Sequence, residues 1–542
     1  MKTKQTPPSE NASRVPTPIR RILITLAVLA TVFASCATPP PPARVEEAPT
    51  AAVEAVGETA AAETPPPALP PEPSPPPIAE KEPELPVGPA AEGPVAAAPQ
   101  AAPAAAPETI PEPPAEPTVV EALGLVSAAL SSGDGDAALA AFDLLRGSAA
   151  ADPEVRLLKA SVLGSLGRSG EARALAASVA AENPKNAEAL FVLAAAEGSA
   201  GKDKERKALL ERAVAVDPKH ARALASLGTI ALRAKTLRVA ETWFDKSLAA
   251  DPVNAEALVG KGRVRRLQDD PKGAELAYER AIKEYPSWSA PLAERAKVYR
   301  EQGYLREALS DLDAAIRLDP TDYWAAVDRG TTLLDLGRRS DALSEFDRAA
   351  ALEPDNFLSY VYTAGLREEA GELESAERDY ARLAELNGDY YFAFEALGLL
   401  RIRDGRWGPA REAFLEAWKR SPVHSNYALL AALAWMKEGK AREAKAFLAK
   451  VLPTIKRDTT EWYVMRLFHD LTGDTDAAVR VDKESDRDVR ARMLYYLAQF
   501  YAVRGNEALA IRYHLAFRDL DRRNIVEWRL NEWALEARLP KE

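Results

Sequence analysis

The sequence contains little of what most enzymes and metal proteins use. Its 542 residues include a single cysteine, Cys36, so an intramolecular disulfide and a cysteine-based metal site are both excluded. The four histidines are scattered along the chain without the spacing of metal ligands. The sequence contains no phosphate-binding glycine-rich loop, nucleophile elbow, zinc-protease motif or EF-hand loop. We therefore expect no enzymatic activity, no cofactor, no metal and no small-molecule substrate.

Basic residues are also outnumbered by acidic ones. The formal net charge is -11 at pH 7, whereas nucleic-acid binding needs clustered positive charge to replace the counterions of phosphates. We therefore expect no nucleic-acid partner. Alanine, leucine, glutamate and arginine dominate the composition and β-branched residues are sparse, which favours helix over sheet. A chain of this length is expected to form several domains or a repeat array.

The first 36 residues have the pattern of an export signal. Lysines and arginines precede an apolar run at 22–35, which is too short to span a bilayer, since a spanning helix needs ~20 residues, but is typical of a secretory signal. The run ends in Ala34-Ser35-Cys36, which resembles the lipobox of bacterial lipoproteins. The resemblance implies that residues 1–35 are a signal peptide, that Cys36 is lipidated, and that the protein is anchored in the bacterial cell envelope, on the outer membrane. The alternatives are a plain secretory signal with a chance cysteine, or an uncleaved anchor.

Residues 36–118 differ sharply in composition from the rest of the chain. Between residues 37 and 117 there are 25 prolines, with Arg44 and Lys81 as the only basic residues. Proline removes backbone donors, and the segment has too few large apolar residues to build a core. We expect a disordered, acidic tether behind the lipid anchor. Its PxxP patterns could instead be ligands for aromatic grooves, but such patterns arise by chance in a segment this rich in proline.

From residue 119 onward, three residue types recur with a period of 34. Proline ends each period, glycine falls at position 15 and alanine at position 20. The proline series is Pro184, Pro218, Pro252, Pro286, Pro320 and Pro354. Glycine readily takes the left-handed conformation that ends a helix, and proline cannot continue a helix. Each period is therefore predicted to be a helix, a tight turn and a second helix.

This pattern resembles the tetratricopeptide (TPR) family. One period carries the residues typical of the family: Leu292, Ala296, Tyr299, Gly303, Ala308, Leu312, Ala315 and Pro320. The resemblance implies an all-α, right-handed TPR superhelix (an α-solenoid) of about 12 helix-turn-helix repeats over residues 119–524. The repeats start near residues 119, 153, 187, 221, 255, 289, 323, 357, 391, 425, 459 and 491. Residues 525–542 are predicted to be a C-terminal capping helix and tail that covers the last repeat.

The TPR resemblance also implies protein partners, held in a concave groove by positions 2, 5, 6, 9, 12 and 13 of each first helix. In the middle repeats these positions carry Arg222, Arg233, Arg263, Arg266, Lys297 and Arg300. Further along they carry Trp324, Tyr362, Phe392, Glu395 and Arg403. We expect a basic stripe that glutamates offset only in part, binding an acidic or amphipathic protein segment. Reversing Arg263 and Arg266 to glutamate is then expected to leave the fold intact.

Repeat position 7 has two interpretations. Lys261, Arg295 and Arg329 occupy this position, which is usually apolar. They form either an anion-binding stripe or a set of cations that pack between helices and pair locally.

These features together favour a non-enzymatic protein–protein interaction scaffold in the bacterial cell envelope. The alternative is an accessory factor of a cell-wall or outer-membrane assembly machine that binds glycan or peptidoglycan through the basic stripe and the tryptophans.

Overall fold

The computed structural model describes residues 118–539, which form an all-α protein. This part of the chain contains 26 α-helices and one short 3₁₀ turn, and no β-strand. Nor does it contain a helix with the length and apolar character needed to cross a membrane. The predicted export signal, the lipidation site at Cys36 and the proline-rich tether lie outside the described residues, apart from residue 118.

The helices follow one another as antiparallel pairs joined by short turns. The first nine are α1 (Val119–Ser131), α2 (Gly135–Asp143), the short α3 (Gly147–Ala151), α4 (Pro153–Ser165), α5 (Ser169–Glu182), α6 (Ala187–Ser199), α7 (Asp203–Val216), α8 (Ala221–Arg233) and α9 (Leu237–Ala250). The next nine are α10 (Ala255–Leu267), α11 (Pro271–Glu284), α12 (Ala290–Glu301), α13 (Leu305–Leu318), α14 (Tyr323–Asp335), α15 (Arg339–Leu352), α16 (Phe357–Glu369), α17 (Leu373–Leu386) and α18 (Tyr391–Arg403). The last eight are α19 (Trp407–Arg420), α20 (Ser425–Lys437), α21 (Ala441–Val451), α22 (Thr460–Asp470), α23 (Asp474–Lys483), α24 (Arg487–Val503), α25 (Glu507–Arg518) and α26 (Glu527–Glu536).

The chain divides into two compact units, one ending at Leu175 and the other beginning at Ala176, within α5. The first unit contains the described helices α1 to α4. The second contains α6 to α26 and all the predicted groove residues.

The turn inside each repeat depends on a left-handed residue at position 15. In the repeat of α12 and α13, Gly303 has φ 80°, its N–H donates to the carbonyl of Arg300 at 3.0 Å, and the N–H of Tyr304 donates to the carbonyl of Tyr299 at 2.8 Å. This is the Schellman pattern, which satisfies carbonyls left free at a helix end. Lys235 and Asp269 replace the glycine in two repeats and take the same conformation, with φ 56° and 60°.

The beginning of many first helices is fixed by a capping side chain. Asn254 Oδ1 accepts from the N–H of Ala257 and Asp322 Oδ1 from the N–H of Ala325, both at 3.0 Å. Each cap satisfies a backbone donor that has no partner within the helix. Together with the Asp-Pro or Glu-Pro pair that ends the preceding helix, it confines the loop between repeats to a few residues.

The two helices of one repeat approach closely because a ring from the second lies over a glycine of the first. At position 8, a Cβ atom on Gly330 would come within 2.8 Å of the Phe346 ring, and one on Gly398 within 2.5 Å of the Phe414 ring. Both rings are fully buried. Any larger side chain at position 8 would push the helices apart, which explains why this position carries small residues.

The C-terminal helices form the largest apolar core of the described chain. One cluster of buried residues extends from Leu399 in α18 to Leu530 in α26. Helix α20 is buried over almost its whole length, so it is enclosed on all sides. Helix α24 has 17 residues and begins at Arg487, ahead of residue 491 where the spacing places the repeat, because Asp486 caps it.

We predict that Lys235→Gly raises the melting temperature. A non-glycine residue in the left-handed region costs roughly 1–2 kcal/mol, of which glycine's extra chain entropy offsets about half. A net stabilisation of up to about 1 kcal/mol is therefore expected, measured by thermal circular dichroism. The reverse change, Gly337→Lys at the same repeat position, should lower the melting temperature. An unchanged or lower value for Lys235→Gly would contradict the strain at this turn.

Candidate functional site

The predicted groove residues lie on one face of successive first helices. We call this the groove face: positions 2, 5, 6, 9, 12 and 13 of α8, α10, α12, α14, α16, α18 and α20. Neighbouring first helices among α8, α10, α12 and α14 pack against each other, so equivalent positions of adjacent repeats lie side by side. The predicted cations occur on α8, α10 and α12, and the predicted aromatic residues on α14, α16 and α18.

The cations at position 9 are paired with acids of the next repeat. Arg263 Nη2 lies 2.9 Å from Glu294 Oε1. Lys297 Nζ contacts the same oxygen at 3.3 Å and Asp328 Oδ2, one repeat further on, at 3.4 Å. Glu294 and Asp328 both occupy position 6. The pairs therefore form a ladder across α10, α12 and α14.

A second ladder runs from position 12 to position 13. Arg266 Nη1 lies 2.6 Å from Glu301 Oε1, and Arg300 Nε lies 3.4 Å from Asp335 Oδ2. Arg300 also donates to the hydroxyl of Thr331. Positions 12 and 13 of adjacent first helices are thus cross-linked by charge, and the second ladder also ends on α14.

The two cations of α8 differ from each other. Arg222 forms an ion pair with Glu188, one repeat earlier, and its guanidinium lies 4.8 Å from the centre of the Phe191 ring. Arg233, at the other end of the helix, is exposed to solvent. Of the six predicted cations, only Arg233 has no ion pair within residues 118–539.

Two nearby cations affect the pKa of Glu294 more strongly than its burial does. Burial disfavours the carboxylate, but Arg263 and Lys297 stabilise it more strongly and lower its pKa to about 2. Glu294 in turn raises the pKa of Arg263. By contrast, burial raises the pKa of Asp328, although Lys297 opposes this shift. The carboxylate of Glu294 is therefore ionised near neutral pH.

The prediction of a basic stripe that acids offset only in part is therefore wrong. Asp328 and Asp335 complete the ladders, together with Glu294 and Glu301, so each cation of α10 and α12 has an acid from the adjacent repeat. Reversing Arg263 and Arg266 would place new carboxylates against acids that are already buried or partly buried. The structure predicts that this double reversal destabilises the array, contrary to the expectation that the fold stays intact.

The cations at position 7 pair locally, as the second interpretation of this position predicted. Arg295 donates to both oxygens of Asp311 at 2.7 and 2.8 Å, and Arg329 Nε donates to Asp313 at 2.8 Å. Lys261 pairs with Asp245 of α9 at 2.6 Å. Arg295 thus links the two helices of its own repeat, whereas Lys261 and Arg329 reach the second helix of the preceding repeat. The three cations therefore do not form an anion-binding stripe.

The three predicted aromatic residues all pack against a second ring. Tyr362 stacks on Phe346 with ring centroids 4.3 Å apart, Phe392 stacks on Tyr391 at 4.2 Å, and Trp324 meets Tyr323 edge-on at 5.1 Å. Tyr362 and Phe392 are half-buried, whereas 37% of Trp324 is exposed. The groove face thus carries an exposed indole ring at the point where the ladders end.

Beyond the ladders, the groove face becomes apolar. Position 9 is Thr331 in α14 and Gly365 in α16, position 12 of α14 is Leu334, and α16 contributes Leu358 and Tyr362. All five are half-buried. We call these residues the apolar window. Of these five residues, the sequence prediction included only Tyr362. The glycine at position 9 of α16 could have indicated the other four, because glycine is unfavourable within a helix and needs a reason to be there.

The C-terminal helix α26 packs against α18, and α24 packs against α20. At position 9 of α18 and α20, Leu399 and Leu433 have 0% exposure, and both belong to the same apolar cluster as Leu530 of α26. Arg529 of α26 forms an ion pair with Glu368 of α16. The predicted capping helix therefore contacts more than the last repeat, because it also packs on α18, three repeats earlier.

Arg403 confirms this position of α26 from a second direction. Its guanidinium lies 5.7 Å from the centre of the Trp533 ring in α26. Arg403 was predicted as a groove residue, and the structure shows that its contact is with the protein's own C-terminal helix.

Two buried carboxylates lie between α18 and α26. Tyr427 donates a hydrogen bond to Glu395, and Tyr496 donates to Glu527 at 2.9 Å. Burial raises the pKa of Glu395 to about 7; Glu527 adds to this shift, while the hydroxyl of Tyr427 opposes it. Burial also raises the pKa of Glu527, against the opposing charge of Arg492.

The described residues offer no group of three or more histidine, cysteine, aspartate or glutamate side chains that could hold a metal ion. The groove face is therefore a surface of paired charges, one apolar window and one end occupied by the protein's own helix.

The repeated helix pairs define a TPR-type α-solenoid. Residues 128–395 match the family model of the ETO1 C-terminal domain. No curated protein matches the chain significantly.

Several solved TPR structures are similar over part of the chain. Pseudomonas aeruginosa pilF is 20% identical and covers 37% of this chain and 92% of its own, with a TM-score of 0.34. A tetratricopeptide repeat protein from Parabacteroides merdae ATCC 43184 is 18% identical and covers 46% and 98%, with a TM-score of 0.30. YrrB, described as a TPR protein with an unusual peptide-binding site, is 24% identical and covers 34% and 95%, with a TM-score of 0.27. At these identities the similarity concerns the fold alone.

We predict that Glu294→Gln destabilises the protein most near neutral pH. The folded-state pKa of about 2 lies below the ordinary glutamate value of 4.5, so this carboxylate contributes stability above pH ~4.5, which is lost as pH falls toward 2. The wild type should exceed the variant by up to roughly 3 kcal/mol at pH 7. Urea unfolding should show this difference shrinking by about half or more at pH 3. A difference independent of pH would contradict the assignment.

We predict the opposite pH dependence for Glu395→Gln. The pKa of Glu395 is raised from 4.5 to about 7, so the folded state binds the proton more tightly, and stability falls as pH rises through this interval. Glutamine can still accept from Tyr427 but has no charge to bury. The variant should therefore melt higher than the wild type at pH 8, by up to roughly 3 kcal/mol of unfolding free energy, and nearly equally at pH 4. Equal melting temperatures at pH 8 would count against a buried, titrating Glu395.

Proposed function

We propose that this protein is a non-enzymatic interaction scaffold of the bacterial cell envelope. Segments of partner proteins bind on the groove face of α8 to α16, and Cys36 anchors the chain to the outer membrane through the proline-rich tether. The contact residues predicted from the sequence are Arg222, Arg233, Arg263, Arg266, Lys297, Arg300, Trp324 and Tyr362 on this surface, and Phe392 beside it at the start of α18.

One observation carries this proposal. Position 9 of the groove face is fully buried in α18 and α20, where Leu399 and Leu433 lie beneath the protein's own C-terminal helices, whereas the groove face of α8 to α16 keeps exposed side chains. Trp324 is 37% exposed, and Arg233 is exposed at the end of α8. The same face thus accepts a polypeptide helix in one part of the array and offers equivalent positions to solvent in another.

The ladders change what the cations can do in such a complex. Because the charges of these cations are already paired, the ion pairs hold neighbouring first helices in place and present a neutral, polar surface to a ligand. This favours a protein segment over a polyanion or a charged glycan, whose binding would need cations without partners. The glycan-binding alternative was based on the basic stripe and the tryptophans, and the ion pairs weaken the first of these two grounds.

We predict that a photocrosslinking amino acid at Trp324 captures partner proteins in intact cells. Benzoylphenylalanine preserves the large aromatic side chain, and crosslinking reports contact without requiring a stable complex. The matched control is the same replacement at Leu276 on α11, a second helix, where 68% of the residue is exposed. Crosslinked species should appear for position 324 and be absent or much weaker for position 276.

Two outcomes would contradict the proposed function. If both positions give the same crosslinked species, the groove face has no special role. If position 324 gives no protein adduct while the purified protein sediments with isolated peptidoglycan, the glycan-binding alternative is correct.

Cys36→Ala should also release the protein into the soluble fraction, and unchanged membrane retention would refute the anchor.

A further inference from the structure

We propose that the apolar window (Thr331, Leu334, Leu358, Tyr362 and Gly365) is a docking site for an amphipathic helix of a partner protein. The partner lays its apolar stripe on α14 and α16, in line with α26. This inference rests on the proposed function and deepens it, because it identifies the kind of segment that binds and where it binds.

The first reason is the end of the ionic ladders. In α10 and α12, positions 9 and 12 are cations paired with the next repeat. In α14 the same positions are Thr331 and Leu334, and position 9 of α16 is Gly365. Positions 9 and 12 of the groove face thus change from cationic in α12 to uncharged in α14, while the acids Asp328 and Asp335 of α14 stay paired with α12. An apolar surface that is only half-buried gains most from an apolar ligand.

The second reason is the space above Gly365. A Cβ atom on this residue would have no heavy atom within 4 Å, whereas the glycines at position 8 are covered by rings. Glycine in the middle of a helix costs roughly 1 kcal/mol relative to alanine. Packing within residues 118–539 does not require a glycine here. The missing side chain leaves a notch on α16 into which a large apolar side chain can insert.

The third reason is continuity with α26, which already covers the same face. Position 9 is fully buried in the two repeats that follow, where Leu399 and Leu433 belong to the same apolar cluster as Leu530, and α26 itself packs against α18. Glu368 lies one helical turn beyond Gly365 and holds Arg529 of α26. A helix bound to the apolar window would therefore extend a packing arrangement that the protein already uses to the two preceding repeats, those of α14 and α16.

The surrounding charges favour an apolar contact over an electrostatic one. Asp335 pairs with Arg300 at 3.4 Å, and Glu369 pairs with Arg339 at 3.0 Å. Each acid at the edge of the window thus has its own arginine, so the edge has little net charge to attract an acidic segment. Binding should accordingly depend only weakly on salt, unlike the binding of a charged peptide.

The test uses the full-length protein and a labelled 18-residue model helix. The probe has leucines at i, i+3, i+4 and i+7 on one face, glutamate and lysine in equal numbers elsewhere, and no net charge. A second peptide of the same composition has its leucines spread around the helix. Fluorescence anisotropy measures the dissociation constant of each peptide at low and high salt.

Gly365→Trp fills the notch and should weaken binding of the probe by at least about tenfold. Gly365→Ala adds only a methyl group and should bind within about twofold of the wild type, as should Gly170→Trp, a bulky change at another helical glycine with open space around it. If Gly365→Trp does not fold, Thr331→Trp provides the second obstruction. Circular dichroism confirms folding of each variant.

Weaker binding of the amphipathic probe by Gly365→Trp, with little effect of salt, would support the proposal. Equal binding of the two peptides, unchanged affinity for Gly365→Trp, or no binding up to millimolar peptide would overturn it. The proposed function fails separately: crosslinking at position 324 with no binding of the model helix would mean that the groove face takes an extended or charged segment instead.

Discussion

The array depends on the close approach of the two helices within a repeat, which a small residue at position 8 of the first helix permits. In four of the repeats this residue is a glycine, and an aromatic ring from the second helix occupies the volume that its side chain would need, as Phe346 does over Gly330. This contact joins each pair with one face of the first helix inward and leaves the groove face outward. Packing between the helices thus determines that the groove face exists. The residues on this face that packing does not require determine what it binds.

Those remaining residues divide the groove face into three parts. Paired charges lie on α10 and α12, apolar residues with an open notch lie on α14 and α16, and the C-terminal helices α24 and α26 pack against α18 and α20, where position 9 is fully buried. Buried ion pairs often add little net stability, because desolvation opposes the attraction. In this array each pair joins one repeat to the next, so removing one partner is the damaging change. The charged part therefore acts on the array itself, and the apolar part is left for a ligand.

Periodicity predicted the helix pairs because each element is set by local chemistry. Gly303 at the turn, Asp322 at the cap and the Asp-Pro pair between repeats act within a few residues, and such effects are visible in a sequence. The ladders were missed because Asp328 and Asp335 lie 31 and 35 residues beyond their cations. Only the stacking of repeats brings them together. The position of α26 was even harder to predict from the sequence, because Arg529 pairs with an acid 161 residues earlier in the chain.

The central claim is that the groove face is open at the apolar window and closed under α26. Its most direct test is the reactivity of single cysteines with a maleimide, introduced at Trp324, Gly365, Leu399 or Leu433 in a Cys36→Ala background. Thiols at 324 and 365 should react within about tenfold of the rate of a free thiol, and those at 399 and 433 at least about 100-fold more slowly, because labelling there requires local unfolding. Equal rates at 365 and 399 would contradict the claim, since they would mean that the two parts of the groove face are equally open or equally covered.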